Sequence, residues 1–317
     1  MYPTHIQAIA RSAIDLIGNT PVIEIPGIPD RPGIRIFGKL EGLNPGGSIK
    51  DRPGARMIVQ AVETGSLRRG LHVVEVSSGN AGTAIALTCA VLGYPFTAVV
   101  PRTVSLRKVE DMRRFGAEVR IIDEADTTEV CRKIVHEIVS EDSRYWTPDQ
   151  FSNPANADAH YVGTGAEILA QLPDVTHAFA AIGSGGTCAG VSRRLKEARP
   201  ECRVFGVASA SGNLGGMEPI EEIRIRKPLL RSANLDSVLI VEEGEARQAL
   251  MLGYRLGLQL GISSAGVLAA ALRTAKDLSS GTLACVMADA GWKYPDHRFY
   301  RTDHAASNQQ DGGRSLW

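Results

Sequence analysis

The sequence predicts an α/β fold in which a mostly parallel sheet is covered by helices on both faces. Two observations carry that reading. Short β-rich runs alternate with stretches of helical spacing along almost the whole chain, the order expected of strand–helix–strand units. The runs are near-continuously apolar rather than alternating, as strands buried on both faces are. With 317 residues, the chain has material for two domains or one large α/β unit.

In chain order the expected strands are IRIFGKLE at 34–41, HVVEVS at 72–77, FTAVVP at 96–101 and EVRIID at 118–123. HAFAAIG at 177–183, RVFGVAS at 203–209, VLIVEE at 238–243 and TLACVMAD at 282–289 follow. Helical spacing falls between them, at 51–64, 82–92, 105–115 and 187–198. A domain change is expected at 145–150, where the aromatic, Pro-containing RYWTPDQ follows four strand–helix units. No repeat period or low-complexity tract is present. The stretch after Tyr300 is polar and Gly-containing except for its closing Leu316 and Trp317, and is expected to be mobile.

Composition narrows the function classes. Lys plus Arg and Asp plus Glu number 35 each, so no net field favours nucleic acid or a membrane surface. The longest apolar runs, such as AIALTCAVLGY at 84–94, fall short of a spanning helix. MYPTHIQAIARSAID at the start has neither a basic n-region nor a long h-region. Five widely spaced cysteines (Cys89, Cys131, Cys188, Cys202 and Cys285) without CxxC read as buried free thiols, not a disulfide framework or a metal site. A cytoplasmic location fits best.

Three glycine-rich elements and one lysine carry the chemistry. In KLEGLNPGGSIKDRPGARM at 39–57, Asn44-Pro45-Gly46-Gly47 is turn chemistry and Ser48 is placed to cap a following helix. Lys50 then falls in the first helical turn, where a cation is disfavoured by a few tenths of a kcal/mol or so. The same position lowers an amine pKa, as a Schiff-base lysine requires; a solvated surface lysine is the bland alternative. EVSSGNAGTAIAL at 75–87 runs from a strand through a Ser/Gly/Asn turn into a helix, whose first N–H groups suit a carboxylate or phosphate. AIGSGGTCAG at 181–190 repeats that arrangement. It has neither the lysine of a Walker loop nor the spacing of a dinucleotide fingerprint, so a small phosphate monoester is the better match.

In order and spacing these elements resemble the fold-type II pyridoxal-phosphate enzymes, in particular the cysteine synthase and cystathionine β-synthase family. The likeness runs from Ile17-Gly18-Asn19-Thr20-Pro21 to about Tyr294 and rests on Lys39-x-Glu41 followed by Pro45-Gly46-Gly47-Ser48-Ile49-Lys50-Asp51-Arg52. It implies two domains, each a mostly parallel twisted sheet with helices on both faces, in the manner of the tryptophan synthase β chain. These would be a smaller N-terminal domain at 40–147 with the substrate loop, a larger cofactor-phosphate domain of 1–39 plus 148–300, and a tail at 301–317. The resemblance makes pyridoxal 5′-phosphate the cofactor and Lys50 its covalent anchor, with Asn80 facing the 3′-oxygen. Gly183, Ser184, Gly185, Gly186 and Thr187 would cup the 5′-phosphate. Ser263, in Gly261-Ile262-Ser263-Ser264, would meet the pyridine nitrogen. Ser77, Ser78 and Gly79 would hold the substrate carboxylate, with Gln150 of the segment Gln150-Phe151-x-Asn153-Pro154-x-Asn156.

A neutral serine leaves the ring nitrogen largely unprotonated, which favours β-elimination over transamination or racemisation. The implied activity is β-replacement on an activated serine, O-phosphoserine or O-acetylserine, through an α-aminoacrylate intermediate, with cysteine synthesis its commonest version. Lys50 would take the α-proton. The alternative forms a carbon–nitrogen bond at Cβ, as in 2,3-diaminopropionate-type siderophore or secondary-metabolite biosynthesis. A serine or threonine dehydratase shares the fold, but its phosphate loop is usually almost pure glycine, unlike Ser184 and Thr187. The implied partners are an amino-acid substrate, a second nucleophile and a second copy in a homodimer.

Two departures bear on the substrates. Ala81 stands where cysteine synthases usually have threonine, as in relatives that make diaminopropionate precursors. The segment ASASGNLGGMEPIEEIRIRKPLLR lacks the run G-I-G-A-G-F-I-P of O-acetylserine enzymes, and its Arg224, Arg226, Lys227 and Arg231 either neutralise a phosphate leaving group or form a solvated charged face. Asp289-Ala290-Gly291-Trp292-Lys293-Tyr294 and the closing Ser315-Leu316-Trp317 are similar to a branch that uses O-phosphoserine and takes sulfur from a sulfur-carrier protein.

Overall fold

A computed structural model describes residues 9–26, 32–77, 79–212, 214–226, 228–295 and 297–300, the side chains of 224–226 excepted. Ser78, Lys227, the side chains of Arg224 and Arg226, and the tail at 301–317 therefore lie outside the described residues. Among the described residues ten strands are present: β1 (Val22–Ile25), β2 (Ile34–Leu40), β3 (His72–Val76), β4 (Phe96–Pro101), β5 (Glu118–Ile122), β6 (Tyr145–Trp146), β7 (His177–Ala181), β8 (Arg203–Ser209), β9 (Ser237–Val241) and β10 (Gly281–Met287). The α-helices between them are α1 (Asp51–Glu63), α2 (Asn80–Leu92), α3 (Leu106–Arg114), α4 (Thr128–Glu141), α5 (Pro154–Ala159), α6 (Ala166–Gln171), α7 (Gly186–Ala198), α8 (Ile220–Arg226), α9 (Glu243–Arg255) and α10 (Ile262–Ala275). A π-type turn, His160–Gly165, joins α5 to α6. All eight expected strands are found, with ends within two residues of the expected ones.

The strands form two sheets. One has six strands in the order β1-β2-β10-β7-β8-β9, parallel except for the β1–β2 pair, and the other has four parallel strands in the order β5-β4-β3-β6. Side-chain alternation sends each strand's residues to opposite faces, so each sheet has two cores. On β10, Leu283, Cys285 and Met287 join one core of the larger sheet while Ala284 and Val286 join the other. On the smaller sheet Val73 faces one core while Val74 and Val76 face the other. This double burial is why the sequence shows apolar runs instead of alternation. The α10 helix is buried from Ile262 to Ala271 without interruption, as a helix apolar all round must be.

One local expectation is corrected. Ser48 does not cap α1, and Lys50 is not inside the first turn. Helix α1 begins at Asp51 with Lys50 as its N-cap residue. The cause is pairing: Ser48 bridges Asp289, and the Ile49 N–H donates to the Ala288 carbonyl at 2.8 Å. The chain stays tied to the end of β10 there, and the Ser48 hydroxyl accepts the Lys50 N–H at 3.2 Å.

Candidate active site

Parallel strands present their C-terminal ends on one edge, and a crevice opens where neighbouring strands are connected in opposite directions. Both sheets have such a point. In the larger sheet β7 continues through α7 to β8, while its other neighbour is β10. In the smaller sheet β3 continues through α2 to β4, while its other neighbour is β6. The loops leaving β7 and β3 at these two points are the glycine-rich elements read from the sequence. They meet around one cavity, open to solvent, to which Lys50, Gly79, Asn80, Gly183, Ser184, Gly185, Thr187 and Ser263 all contribute. It continues into a wider cleft lined by Ser77, Ala81 and Gln150.

The loop after β7 is built as an anion cup. Gly185 has φ +93° and ends the loop in the left-handed region, which only glycine enters without strain. A Cβ on Gly186 would stand 2.0 Å from Asn156 Oδ1, and one on Gly183 would stand 3.0 Å from the Gly216 carbonyl. The chain therefore packs where no side chain fits. Helix α7 starts at Gly186, and its first N–H groups have no intrahelical acceptor. The Ser184 hydroxyl accepts from Asn156 Nδ2 at 3.2 Å, and the Thr187 hydroxyl lies 3.3 Å from His160 Nε2. Burial, then the charges of Lys50 and Arg52, hold the His160 pKa well below its usual value, so this imidazole is a neutral hydrogen-bond partner to Thr187.

Across the cavity, Asn80 opens α2 and donates from Nδ2 to Asp289 Oδ2 at 2.6 Å. The Tyr294 hydroxyl donates to the same oxygen. Burial pushes the Asp289 carboxyl upward, and these two bonds with the charges of Lys293 and Lys108 act against it. Lys108, Gly215, Gly216, Asp289 and Tyr294 line the cavity as well and are not among the site residues the sequence indicates. At the start of α10 the two adjacent serines separate in role. The Ser264 hydroxyl donates to the Asp289 carbonyl at 2.9 Å, whereas Ser263 lines the cavity. Gln150 is buried beside the wider cleft, with its Nε2 donating to the Val76 carbonyl at 2.9 Å. Its own N–H donates to Glu75 Oε2, and burial pushes the Glu75 carboxyl up to about 8.

Three further charged residues of the lysine segment, Lys39, Glu41 and Arg52, are buried. The Arg52 guanidinium spans Glu41 and Glu167, with Nε 2.6 Å from Glu41 Oε2 and Nη1 2.6 Å from Glu167 Oε1. Lys39, also buried, reaches Glu167 Oε2 at 2.7 Å and the Thr20 carbonyl at 3.0 Å. This network fixes the start of α1, hence Lys50, against β2 and α6.

An amine facing an anion-binding helix start across one cavity, with a neutral hydroxyl and an amide on the walls, suits a small planar aldehyde carrying a phosphate. The cradle a Cβ would fill, the two hydroxyls beside it and the cavity-facing Ser263 fit pyridoxal phosphate. The chain belongs to the pyridoxal-phosphate dependent enzyme family, whose match spans residues 13–289. It is 35% identical over 295 residues to a cysteine synthase of Aquifex aeolicus, covering 89% of each chain. Among solved structures it is similar to a hydrogen sulfide-producing enzyme of Fusobacterium nucleatum (TM-score 0.84, 32% identity, 91% of this chain and 99% of that one). It is also similar to an O-acetylserine dependent cystathionine β-synthase of Helicobacter pylori (TM-score 0.83, 32% identity, 93% and 100%). The protein is thus a pyridoxal-phosphate-dependent enzyme.

Proposed function

We propose that this enzyme is a β-replacement synthase that exchanges the β-substituent of an activated serine, in its simplest form a cysteine synthase. The observation that carries the reading is the wall at the start of α10. There a neutral hydroxyl, Ser263, faces the cavity shared by Lys50 and the phosphate loop, and Oδ2 of the nearby Asp289 is occupied by Asn80 and Tyr294. When bound, pyridoxal phosphate supplies the electron sink that makes the α-proton labile and lets the β-substituent leave. Lys50 would hold it covalently and, as a free amine, would accept the α-proton. The N–H groups of α7 with Ser184 and Thr187 hold the phosphate, Asn80 donates toward the 3′-oxygen, and Ser263 meets the ring nitrogen. Ser77, Ser78, Gly79 and Gln150 hold the substrate carboxylate and so set which Cα bond faces the base. Such positioning contributes several kcal/mol.

Ala81, on the cleft wall without a hydroxyl, favours a second reading in which the nucleophile is an amine. The experiment that tests both follows the cofactor absorbance of the holoenzyme as O-acetylserine, O-phosphoserine and serine are added separately. Sulfide, a sulfur-carrier thiocarboxylate and amines are then supplied in turn. Product with sulfide or thiocarboxylate supports the cysteine synthase, and product with amines alone supports carbon–nitrogen bond formation. A 2-oxo acid and ammonia as the sole products would make the enzyme a dehydratase and refute replacement. The proposal extends to a cytoplasmic homodimer, in keeping with five buried free cysteines. It also takes residues 40–147 as the smaller domain, since the four-stranded sheet has its own two cores.

A further inference from the structure

Lys108 is the third residue of α3, half-buried, and lines both the inner cavity and the wider cleft. Its Nζ is 3.9 Å from where a Gly79 Cβ would stand, on the loop that leaves β3. Among the described residues no acceptor lies within hydrogen-bonding distance of this ammonium and no carboxylate within ion-pair distance of it. The contrast with its neighbours is direct: Arg107 on the same helix pairs with Asp111 at 3.1 Å, and Lys293 donates to the Gly46 carbonyl at 2.7 Å.

Two physical terms oppose a charge at this position. A helix start is the positive end of the macrodipole, and burial lowers the Lys108 pKa. Asp289 draws it back upward, but the bonds to Asp289 Oδ2 come from Asn80 and Tyr294. A lysine without a protein partner, facing a cavity on such terms, is satisfied by a ligand anion. The adjacent cleft wall carries Ala81, which offers no hydroxyl to that anion.

We propose that Lys108 is a specificity-determining residue that binds an oxyanion of the amino-acid substrate, either its α-carboxylate or a phosphate leaving group. The inference rests on the β-replacement reading above and adds to it the residue that recognises the substrate's negative charge. Both oxyanions present the same chemistry to an ammonium, and two ligands separate them. L-Alanine carries the carboxylate alone, and the phosphonate analogue of O-phosphoserine carries both groups yet cannot eliminate.

The test is equilibrium titration of the holoenzyme with each ligand, read from the cofactor absorbance and so independent of turnover. It compares wild type with Lys108→Ala, Lys108→Gln and Lys108→Arg. Loss of a charge-assisted contact predicts binding weaker by about tenfold to a hundredfold in the Ala and Gln variants, with Lys108→Arg retaining most of the affinity. Equal weakening for both ligands assigns the carboxylate, and weakening for the phosphonate alone assigns the phosphate. Unchanged affinity for both ligands in Lys108→Ala and Lys108→Gln, with the absorbance response intact, overturns the inference. A wild-type enzyme that responds to neither ligand overturns the amino-acid substrate itself, and this inference with it.

Discussion

Replacing Arg52 by methionine should destabilise the fold by about 3–5 kcal/mol, the cost of leaving a buried carboxylate without its counter-ion. Arg52 makes four short bonds, at 2.6 and 2.8 Å to Glu41 and at 2.6 and 2.7 Å to Glu167. The two acids do not suffer equally. Glu167 keeps Lys39 at 2.7 Å. Glu41 has no solvent exposure and keeps only neutral donors, the Thr20 hydroxyl at 2.8 Å and Asn44 Nδ2 at 2.9 Å. Most of the loss therefore arises at Glu41. It follows that Arg52→Met combined with Glu41→Gln should be less destabilised than the two single variants sum to, because the double variant buries no orphan charge. Urea unfolding at a fixed saturating cofactor concentration, followed by far-UV circular dichroism, measures both quantities. A loss below about 1 kcal/mol for Arg52→Met, the size of an exposed ion pair, would refute the argument that this cluster holds α1 in place.

The same cluster predicts acid sensitivity. Burial would raise the Glu167 carboxyl, but the bonds and charges of Arg52 and Lys39 hold it at about 2. A depressed folded-state pKa contributes stability above the unfolded value of roughly 4.3 and loses it as pH falls toward 2. Glu167→Gln should accordingly flatten the stability–pH curve between about pH 5 and pH 2, measured as urea midpoints across that range. Gly186→Ala forces a methyl to within 2.0 Å of Asn156 Oδ1. It should cost about 1–3 kcal/mol and weaken pyridoxal phosphate binding; unchanged melting temperature and cofactor affinity would count against a tight cup. Lys50→Ala should lower turnover by at least about a hundredfold and abolish covalent retention of the cofactor, checked by mass spectrometry after borohydride reduction.

The strands were legible because double burial makes their sequences apolar without alternation, a local signal. The short pieces were not: β6 is two residues long, and its Tyr145 and Trp146 read equally well as a domain boundary. Helix α2 begins at Asn80, two residues earlier than its apolar pattern, because a strand-to-helix turn of Ser, Gly and Asn shows no periodicity. Within the site, the glycines of the loop after β7 announce themselves by composition. Lys108 does not, since SLRKVEDMRR has the look of a solvated charged helix face and only its packing against the Gly79 loop sets it apart. Asp289 and Asn80 lie 209 residues apart, and no local spacing reveals a bond of that span. Lys39, Glu41 and Arg52 were visible as parts of a motif, yet their physical role as a buried ion network emerges only once Glu167 is beside them.

The position of Asp289 explains how segments from both sheets hold one geometry. Its backbone follows β10, the strand between β2 and β7. Ser48 bridges it, which sets the chain two residues before Lys50. Its carbonyl accepts the Gly261 N–H at 3.1 Å and the Ser264 hydroxyl at 2.9 Å, which fixes the start of α10 and turns Ser263 toward the cavity. Its side chain takes Asn80 from the other sheet. One residue thus ties the segments bearing Lys50, Ser263 and Asn80. Because a carboxylate oxygen accepts and cannot donate when ionised, it also decides that Asn80 presents its NH2 group on this side of the amide. The polarity of the Asn80 amide in the cavity is therefore a consequence of Asp289, not of the loop that carries Asn80.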